Sequence, residues 1–131
     1  MTMTDEQNEV LGANQAFYRA FEKKDIEAMS MVWSQGTGSF CIHPGRKALR
    51  GWKEIRSSWE TIFNNTKYIE IETEIMTTEI RDRIAYVILG ENLLQVINGR
   101  KIQAQSMATN IFEQMAGKWY LVHHHGSPLV R

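Results

Sequence analysis

Three consecutive histidines, His123, His124 and His125, are the residues of this chain whose chemistry stands out most clearly. They lie in residues 119–128, where the apolar residues that precede them predict a β-strand. Side chains alternate along a strand, so His124 is expected on one face of a sheet and the other two histidines on the opposite face. Because imidazole changes its charge near neutral pH, this strand can place proton donors and acceptors on a sheet surface.

Glu91 is a carboxylate that the sequence predicts on another strand of the same sheet. Asn98 and Gly99 are typical of a two-residue hairpin turn, and antiparallel pairing around that turn sets Glu91 opposite Ser106. The face that carries Ser106 is small and mildly polar at its centre, with Ala104, Ser106, Ala108 and Asn110. Small side chains on a sheet that faces helices leave unfilled volume, and a carboxylate there serves a ligand or a hydrogen-bonded network. We therefore expect a pocket in which Glu91 and His124 form an acid–base pair.

The same residues also have a purely structural interpretation. The small side chains then make room for Trp52 and Trp59, and Glu91 lies in solvent at the end of the sheet. A longer hairpin loop would shift the register by one residue and turn Glu91 to the opposite face. Trp33 and Trp59 are likewise either aromatic walls of the pocket or ordinary core residues.

His43 begins a Pro-Gly turn, where its imidazole either points at the mouth of the pocket or stabilises the turn by a backbone hydrogen bond. Cys41 shares strand parity with His43, which makes a thiolate pair conceivable, but a lone cysteine between two apolar residues favours a small buried side chain. A zinc site needs three or four converging ligands, and His123 with His125 fall short of that number. We expect no metal ion and no cofactor.

The elements that must position these residues are three helices followed by four long strands. Thr4 and Gln7 fit a capping box for a first helix that runs to about Lys24, and Asp25 caps the second helix. A third helix starts at about Gly51 after a short apolar strand, and its apolar stripe is unusually aromatic. Alternating residues and three hairpin turns then predict an antiparallel sheet, so the fold class is α+β, with the sheet curling around the helices.

Composition limits the classes of partner. At 131 residues the chain fits one domain, residues 1–131, and 43% apolar residues can build its core. Fifteen basic and fifteen acidic residues leave no net field to hold a nucleic acid or an anionic membrane. The single cysteine excludes an internal disulfide, and we recognise neither a signal peptide nor a bilayer-spanning run. The expectation is a cytoplasmic protein that binds neither nucleic acid nor membrane.

Four motifs are spread over the chain: residues 40–45 (FCIHPG), 49–52 (LRGW) with Ile55 and Ser58-Trp59 after it, 108–112 (ATNIF) and the histidine strand. Together they resemble the SnoaL-like branch of the nuclear transport factor 2-like superfamily, close to the association-domain relatives of calcium/calmodulin-dependent kinase II. The resemblance implies three N-terminal helices packed in the concave face of a strongly curved antiparallel sheet. It also implies a pocket inside this cone and a homodimer through the outer face of the sheet.

The resemblance to the isomerases of this superfamily implies that Val122, His124 and Gly126 face the pocket. The kinase association domains place an arginine where this chain has Gly126, and its loss removes a clamp for a carboxylate ligand and argues against a kinase-hub role. Ala108 occupies the position comparable to one of the isomerase acids, so isomerase chemistry of that particular kind is not supported.

The sequence thus predicts a small hydrophobic molecule bound in the cone. The catalytic candidates are Glu91, His124 and His43, and the substrate-binding candidates are Trp33, Trp59, Ser106, Asn110 and Val122. As an enzyme, the protein is expected to be a cofactor-independent isomerase, cyclase or dehydratase. The alternatives are a non-catalytic oligomerisation or ligand-sensing module, with outer-face contacts at Met107, Ile111 and Trp119, and an accessory subunit of a larger enzyme. Fold alone does not choose among them.

Overall fold

A six-stranded sheet wraps around three helices in residues 3–130, the part of the chain that the computed structural model describes. In chain order the elements are α1 Asp5–Lys23, α2 Ile26–Val32, β1 Phe40–Ile42, β2 Leu49–Arg50, α3 Gly51–Asn65, β3 Ile69–Arg81, β4 Ile84–Ile97, β5 Arg100–Met115 and β6 Lys118–Pro128. The strands lie in the order β2-β1-β6-β5-β4-β3, with β1 parallel to β6 and the other neighbouring pairs antiparallel. The predicted α+β fold class is confirmed.

Local signals set the ends of the first two helices. The Thr4 hydroxyl accepts from the Gln7 N–H at 3.1 Å and the Thr4 N–H donates to Gln7 Oε1 at 2.9 Å, which completes the expected capping box. Lys24 ends α1 in a left-handed conformation with φ 54°. Asp25 then accepts from the Ala28 N–H and caps α2, as predicted.

Two-residue hairpins join the four long strands, with Arg81 paired to Ile84, Ile97 to Arg100 and Met115 to Lys118. Asn98 and Gly99 both have positive φ, 52° and 77°, as a type I′ turn requires. Because this turn has two residues, Glu91 pairs with Ser106. The register on which the predicted pocket depends is therefore confirmed.

A β-bulge in β6 interrupts the alternation expected for the histidine strand. His123 pairs with Ile111 of β5, and Leu121 pairs with Phe112, the residue after it. Val122 therefore has no residue opposite it. Trp119 and Leu121 before the bulge therefore face inward, together with His124 and Gly126 after it. The expectation that Trp119 makes outer-face contacts is wrong, because the extra residue reverses the parity of the strand.

An aromatic cluster packs against part of the concave side of the sheet. Phe17 of α1 is fully buried, and its ring centroid lies 4.7 to 6.5 Å from those of Tyr18, Phe21, Trp33, Trp59 and His124. Ile69 and Ile71 of β3 also face inward, whereas the glutamates that alternate with them are exposed. No helix among residues 3–130 combines the length and the apolar character needed to cross a membrane.

Candidate functional site

A cavity of about 700 Å³ opens between α3, the turn after β1 and the inward face of the sheet. Its walls are mainly apolar, with Phe21, Leu49, Ile62, Leu93 and Ala104 among them. Polar side chains also reach its surface, including Glu91, His124, His43, Ser58 and Ser106. This volume and a mainly apolar lining with a few polar groups lie within the range of cavities that bind small organic molecules in other proteins.

Glu91 presents a buried carboxyl group to this cavity. The side chain is only 5% exposed, and it accepts hydrogen bonds from the Tyr18 hydroxyl at 2.5 Å and the Ser106 hydroxyl at 2.8 Å. Tyr18 belongs to α1 and Ser106 to β5, so the carboxyl group lies where the first helix meets the sheet. Burial raises the pKa of Glu91 above its ordinary value, and the two hydroxyl donors oppose that rise.

Asn110 connects Tyr18 to His124. Its Nδ2 donates to Asn14 Oδ1 at 2.8 Å and to Tyr18 Oη at 3.2 Å, and its Oδ1 lies 2.5 Å from His124 Nδ1. Because Tyr18 gives its own proton to Glu91, the Tyr18 oxygen can only accept from Asn110, which fixes the orientation of the amide. The amide oxygen therefore accepts a proton from His124 Nδ1. In this row of hydrogen bonds, His124 donates to Asn110, Asn110 donates to Tyr18, and Tyr18 donates to Glu91.

The hydrogen bond to Asn110 holds His124 as the neutral tautomer with its proton on Nδ1 and a lone pair on Nε2. Burial lowers the pKa of His124 from 6.5 to about 3, and the neighbouring His123 and His125 add to the shift. Nε2 makes no hydrogen bond to any of residues 3–130. Because His124 is part of the cavity wall, Nε2 is the atom available to a ligand.

His43 faces the cavity from the turn after β1. Its Nε2 lies 2.7 Å from the Ser58 hydroxyl oxygen, and its ring stands edge-on to Trp59 with centroids 4.9 Å apart. Burial lowers the pKa of His43 from 6.5 to about 4, with further contributions from His124 and the positive charge of Arg46. Of the two expected roles, the structure supports the position at the cavity, and the polar partner is a side chain rather than the backbone.

Cys41 lies beside this site but is fully buried, with its sulfur 3.7 Å from His43 Nε2. Burial raises the pKa of the Cys41 thiol, so the residue acts as a small apolar side chain rather than as a nucleophile. Within residues 3–130, no group of three or more histidine, cysteine, aspartate or glutamate side chains is arranged to hold a metal ion.

The other predicted site residues lie at different depths. Ser106 lines the cavity, Trp59 packs against the rings of both site histidines, and Asn110 is fully buried beneath His124. Trp33 is part of the core, and Val122 is half-buried at the bulge. Of the five predicted substrate-binding residues, Ser106 alone lines the cavity. Trp59 and Asn110 lie behind its histidines, and Trp33, which follows α2, packs into the aromatic cluster. The bulge removes Val122 from the inward alternation.

Three residues of the site were not expected from the sequence: Asn14, Tyr18 and Ser58. Asn14 and Tyr18 are one turn apart on α1 and lie beside the buried Phe17, so they share the face that packs on the sheet. Two polar residues at this spacing next to an apolar stripe are the signal that could have identified them. Ser58 precedes the buried Trp59 on α3 and lies one turn after the buried Ile55, so its place on the inward face of that helix is a comparable signal.

Gly126 lies where a side chain would enter the site. A Cβ atom at this position would be 3.0 Å from Pro44 Cγ and 3.7 Å from Glu91 Oε1. The first distance is shorter than ordinary carbon contacts, so glycine allows the turn after β1 to pack closely on β6. Glycine also leaves the Glu91 carboxyl without a basic partner from this position, consistent with its raised pKa.

The sequence pattern of the SnoaL-like domain matches residues 10–131. The chain belongs to the SnoaL-like domain family. This SnoaL-like chain is similar to a proposed dehydratase of the NTF2-like family from Streptomyces avermitilis, with a TM-score of 0.88, 29% identity, and coverage of 95% of this chain and 97% of that chain. A proposed calcium/calmodulin-dependent protein kinase type II association domain from Thiobacillus denitrificans gives a TM-score of 0.82 and 27% identity, covering 90% and 93% of the two chains. The resemblance indicated by the motifs is confirmed.

The F-box protein SKIP8 of Arabidopsis thaliana is a further relative of this SnoaL-like chain. It is 26% identical over 121 residues, which are 92% of this chain and 50% of that protein. The chain therefore spans about half the length of the curated relative that it matches.

The two site histidines should make the folded protein sensitive to acid. Their pKa values in the folded state, about 3 and about 4, lie below the ordinary 6.5, so the unfolded chain binds more protons between these values. Their contribution to the free energy of unfolding is therefore complete above pH 6.5, the pKa of an ordinary histidine. It is lost as the pH falls from there toward the pKa values of the folded state, about 3 and about 4. Replacing His124 by Gln should therefore reduce the slope of unfolding free energy against pH by ~1.4 kcal/mol per pH unit in this window.

Urea denaturation followed by circular dichroism, at several pH values in that window, measures this slope for the wild type and for His124→Gln. Glu91 contributes with the opposite sign, because a raised pKa costs stability as the pH rises, but it is present in both proteins. The difference between the two slopes therefore isolates His124. Equal slopes would contradict a neutral, buried imidazole.

Proposed function

We propose that this SnoaL-like chain binds a small, largely apolar organic molecule in the cavity and catalyses a proton transfer on it without a cofactor, as an isomerase, cyclase or dehydratase. The observation that carries the proposal is the buried carboxyl of Glu91 at the wall of an apolar cavity, oriented by two hydroxyl donors. A titratable group whose pKa is perturbed by burial in a cleft, beside specific partners, is typical of catalytic sites.

Glu91 is the proposed general base and acid. Its raised pKa brings it closer to neutral pH, where a carboxylate takes and returns protons most effectively. The carboxylate removes a proton from carbon next to a substrate carbonyl, and Tyr18 and Ser106 keep its oxygens oriented. Returning this proton to another carbon completes an isomerisation. Delivering it to a departing hydroxyl group releases water and completes a dehydration.

The histidines are proposed to orient the substrate. His124 Nε2 accepts a hydrogen bond from a substrate hydroxyl group, because the buried ring stays neutral and keeps a lone pair on that nitrogen. When His43 Nε2 carries the proton that joins it to Ser58, the Ser58 hydroxyl is free to donate to a substrate oxygen on which charge develops. Asn110 fixes the tautomer of His124. Trp59 packs behind both rings.

Trp33 and Val122 have no role in this proposal, because neither lines the cavity. The similarity to the Streptomyces avermitilis protein described as a proposed dehydratase supports the reaction class. We also propose a cytoplasmic location, because the single, buried thiol of Cys41 suits a reducing compartment.

Replacing Glu91 by Gln should lower the rate of proton transfer by about a hundredfold or more, because the amide keeps the shape but cannot take a proton. Native mass spectrometry of the purified protein tests whether a small molecule co-purifies with it and gives the mass of that molecule. Nuclear magnetic resonance then measures exchange of C–H for solvent deuterium in that molecule and in related apolar carbonyl compounds. The matched control is Glu74→Gln, an exposed glutamate of β3. Wild-type exchange rates in Glu91→Gln would exclude the proposed base.

A homodimer through the outer face of the sheet is proposed as a second property of the protein. On that face, β5 presents half-buried Met107, Thr109 and Ile111, and β1 and β6 add Phe40 and His123 beside them. These side chains are largely apolar, as expected for the centre of an interface between copies. The similarity to a protein described as an association domain favours assembly, and the cavity lies on the opposite face of the sheet from these side chains.

Placing a charge at the centre of that face tests the dimer. We expect the wild type to sediment as a dimer and Ile111→Glu to sediment as a monomer, because an unpaired carboxylate would be buried at the interface. Ile97→Glu, at an exposed isoleucine of the β4–β5 hairpin, is the control and should remain dimeric. Analytical ultracentrifugation that shows a monomeric wild type would exclude this interface.

A further inference from the structure

The mouth of the cavity carries two positive residues, Arg46 and Lys47, on the segment between β1 and β2. Both side chains are exposed, and neither forms an ion pair with any of residues 3–130. Most exposed cations lie on open surface, but these two form part of the wall of a concave apolar site. Their charges therefore lie beside whatever enters it.

A tight turn holds Arg46 at this position. The Arg46 N–H donates to the His43 carbonyl oxygen at 2.9 Å, with Pro44 and Gly45 between them. Proline followed by glycine with φ 74° is the pattern of a type II turn, which restricts the backbone on both sides of the bend. Pro44 also packs against Gly126 of β6, as the short distance to a Cβ there shows. The backbone of Arg46 is thus anchored to the rim of the cavity.

The interior of the cavity has a different charge from its mouth. Glu91 is the one acidic side chain in the wall formed by the described residues, and it is almost completely buried. His43 and His124 are neutral near neutral pH because burial lowers the pKa of each. A ligand therefore meets two cations at the entrance, an apolar wall beyond them, and a single carboxyl group inside.

We infer that the substrate is an amphipathic organic anion, whose single anionic group lies between Arg46 and Lys47 and whose apolar body extends to Glu91. This inference rests on the proposed function, since it assigns a substrate class to the same cavity. It also orients the molecule. A second anion beside Glu91 would oppose formation of the carboxylate, so the reacting C–H bond lies in the apolar part, away from the charged group.

Two fluorescent dyes that differ by one sulfonate test the inference: anilinonaphthalene sulfonate, which is an anion, and phenylnaphthylamine, which is neutral. Arg46→Gln/Lys47→Gln should bind the anionic dye about fivefold more weakly than the wild type at low salt, equivalent to ~1 kcal/mol, and should bind the neutral dye unchanged. Salt should weaken binding of the anionic dye to the wild type more than to this variant. Arg81→Gln/Arg83→Gln is the matched control, since it removes two exposed cations at the β3–β4 hairpin, outside the cavity.

A third variant, Ala104→Trp, fills the cavity without changing its charge and should weaken binding of both dyes. If both dyes respond to Ala104→Trp but the anionic dye binds Arg46→Gln/Lys47→Gln like the wild type, the substrate class is wrong and the proposed function stands. If the matched control loses the anionic dye equally, net charge explains the effect and the inference is overturned. If neither dye responds to Ala104→Trp, the cavity does not take apolar ligands, and the proposed function falls with the inference.

Discussion

Glu91 is a carboxyl group buried where α1 meets the sheet, and the surrounding polar residues are arranged around that burial. A buried carboxyl is costly unless its oxygens accept hydrogen bonds, and Tyr18 and Ser106 meet this need. Tyr18 then requires a donor for its own oxygen, and Asn110 supplies one. The other end of the same amide determines which nitrogen of His124 holds the proton. One acid thus fixes proton positions on four other side chains, those of Tyr18, Ser106, Asn110 and His124.

The chemistry of the site follows from this arrangement and from the aromatic cluster behind it. Phe17 and Trp59 pack against His124 and leave its Nε2 as the nitrogen without a protein partner in the described chain. Burial keeps the ring neutral at physiological pH, so it can accept a hydrogen bond but carries no charge. Gly126 packs closely on Pro44 and brings no side chain to Glu91, so no basic group from this position pairs with the carboxyl group and holds it ionised. The interior of the cavity therefore presents one buried carboxyl group beside a neutral imidazole, which is the arrangement on which the proposed proton transfer depends.

Sequence reasoning reached the register of the sheet because Asn98 and Gly99 specify a two-residue turn, and that turn alone sets Glu91 opposite Ser106. It missed the bulge at Val122, since an inserted residue leaves a strand locally unchanged and is visible only in its pairing with β5. Tyr18 was missed for a different reason: its contact with Glu91 depends on how α1 packs across the sheet. Helical spacing predicts which residues share a face, but not which strand that face meets.

The state of His124 is the most direct test of this account, and nitrogen-15 nuclear magnetic resonance of histidine-labelled protein measures it. Long-range proton–nitrogen correlations distinguish the two neutral tautomers and the charged ring. At about pH 6, where an unperturbed imidazole is largely protonated, His124 should be neutral, with its proton on Nδ1 and none on Nε2. A charged ring, or a neutral ring with its proton on Nε2, would show that the hydrogen-bond chain from His124 to Glu91 does not exist as described.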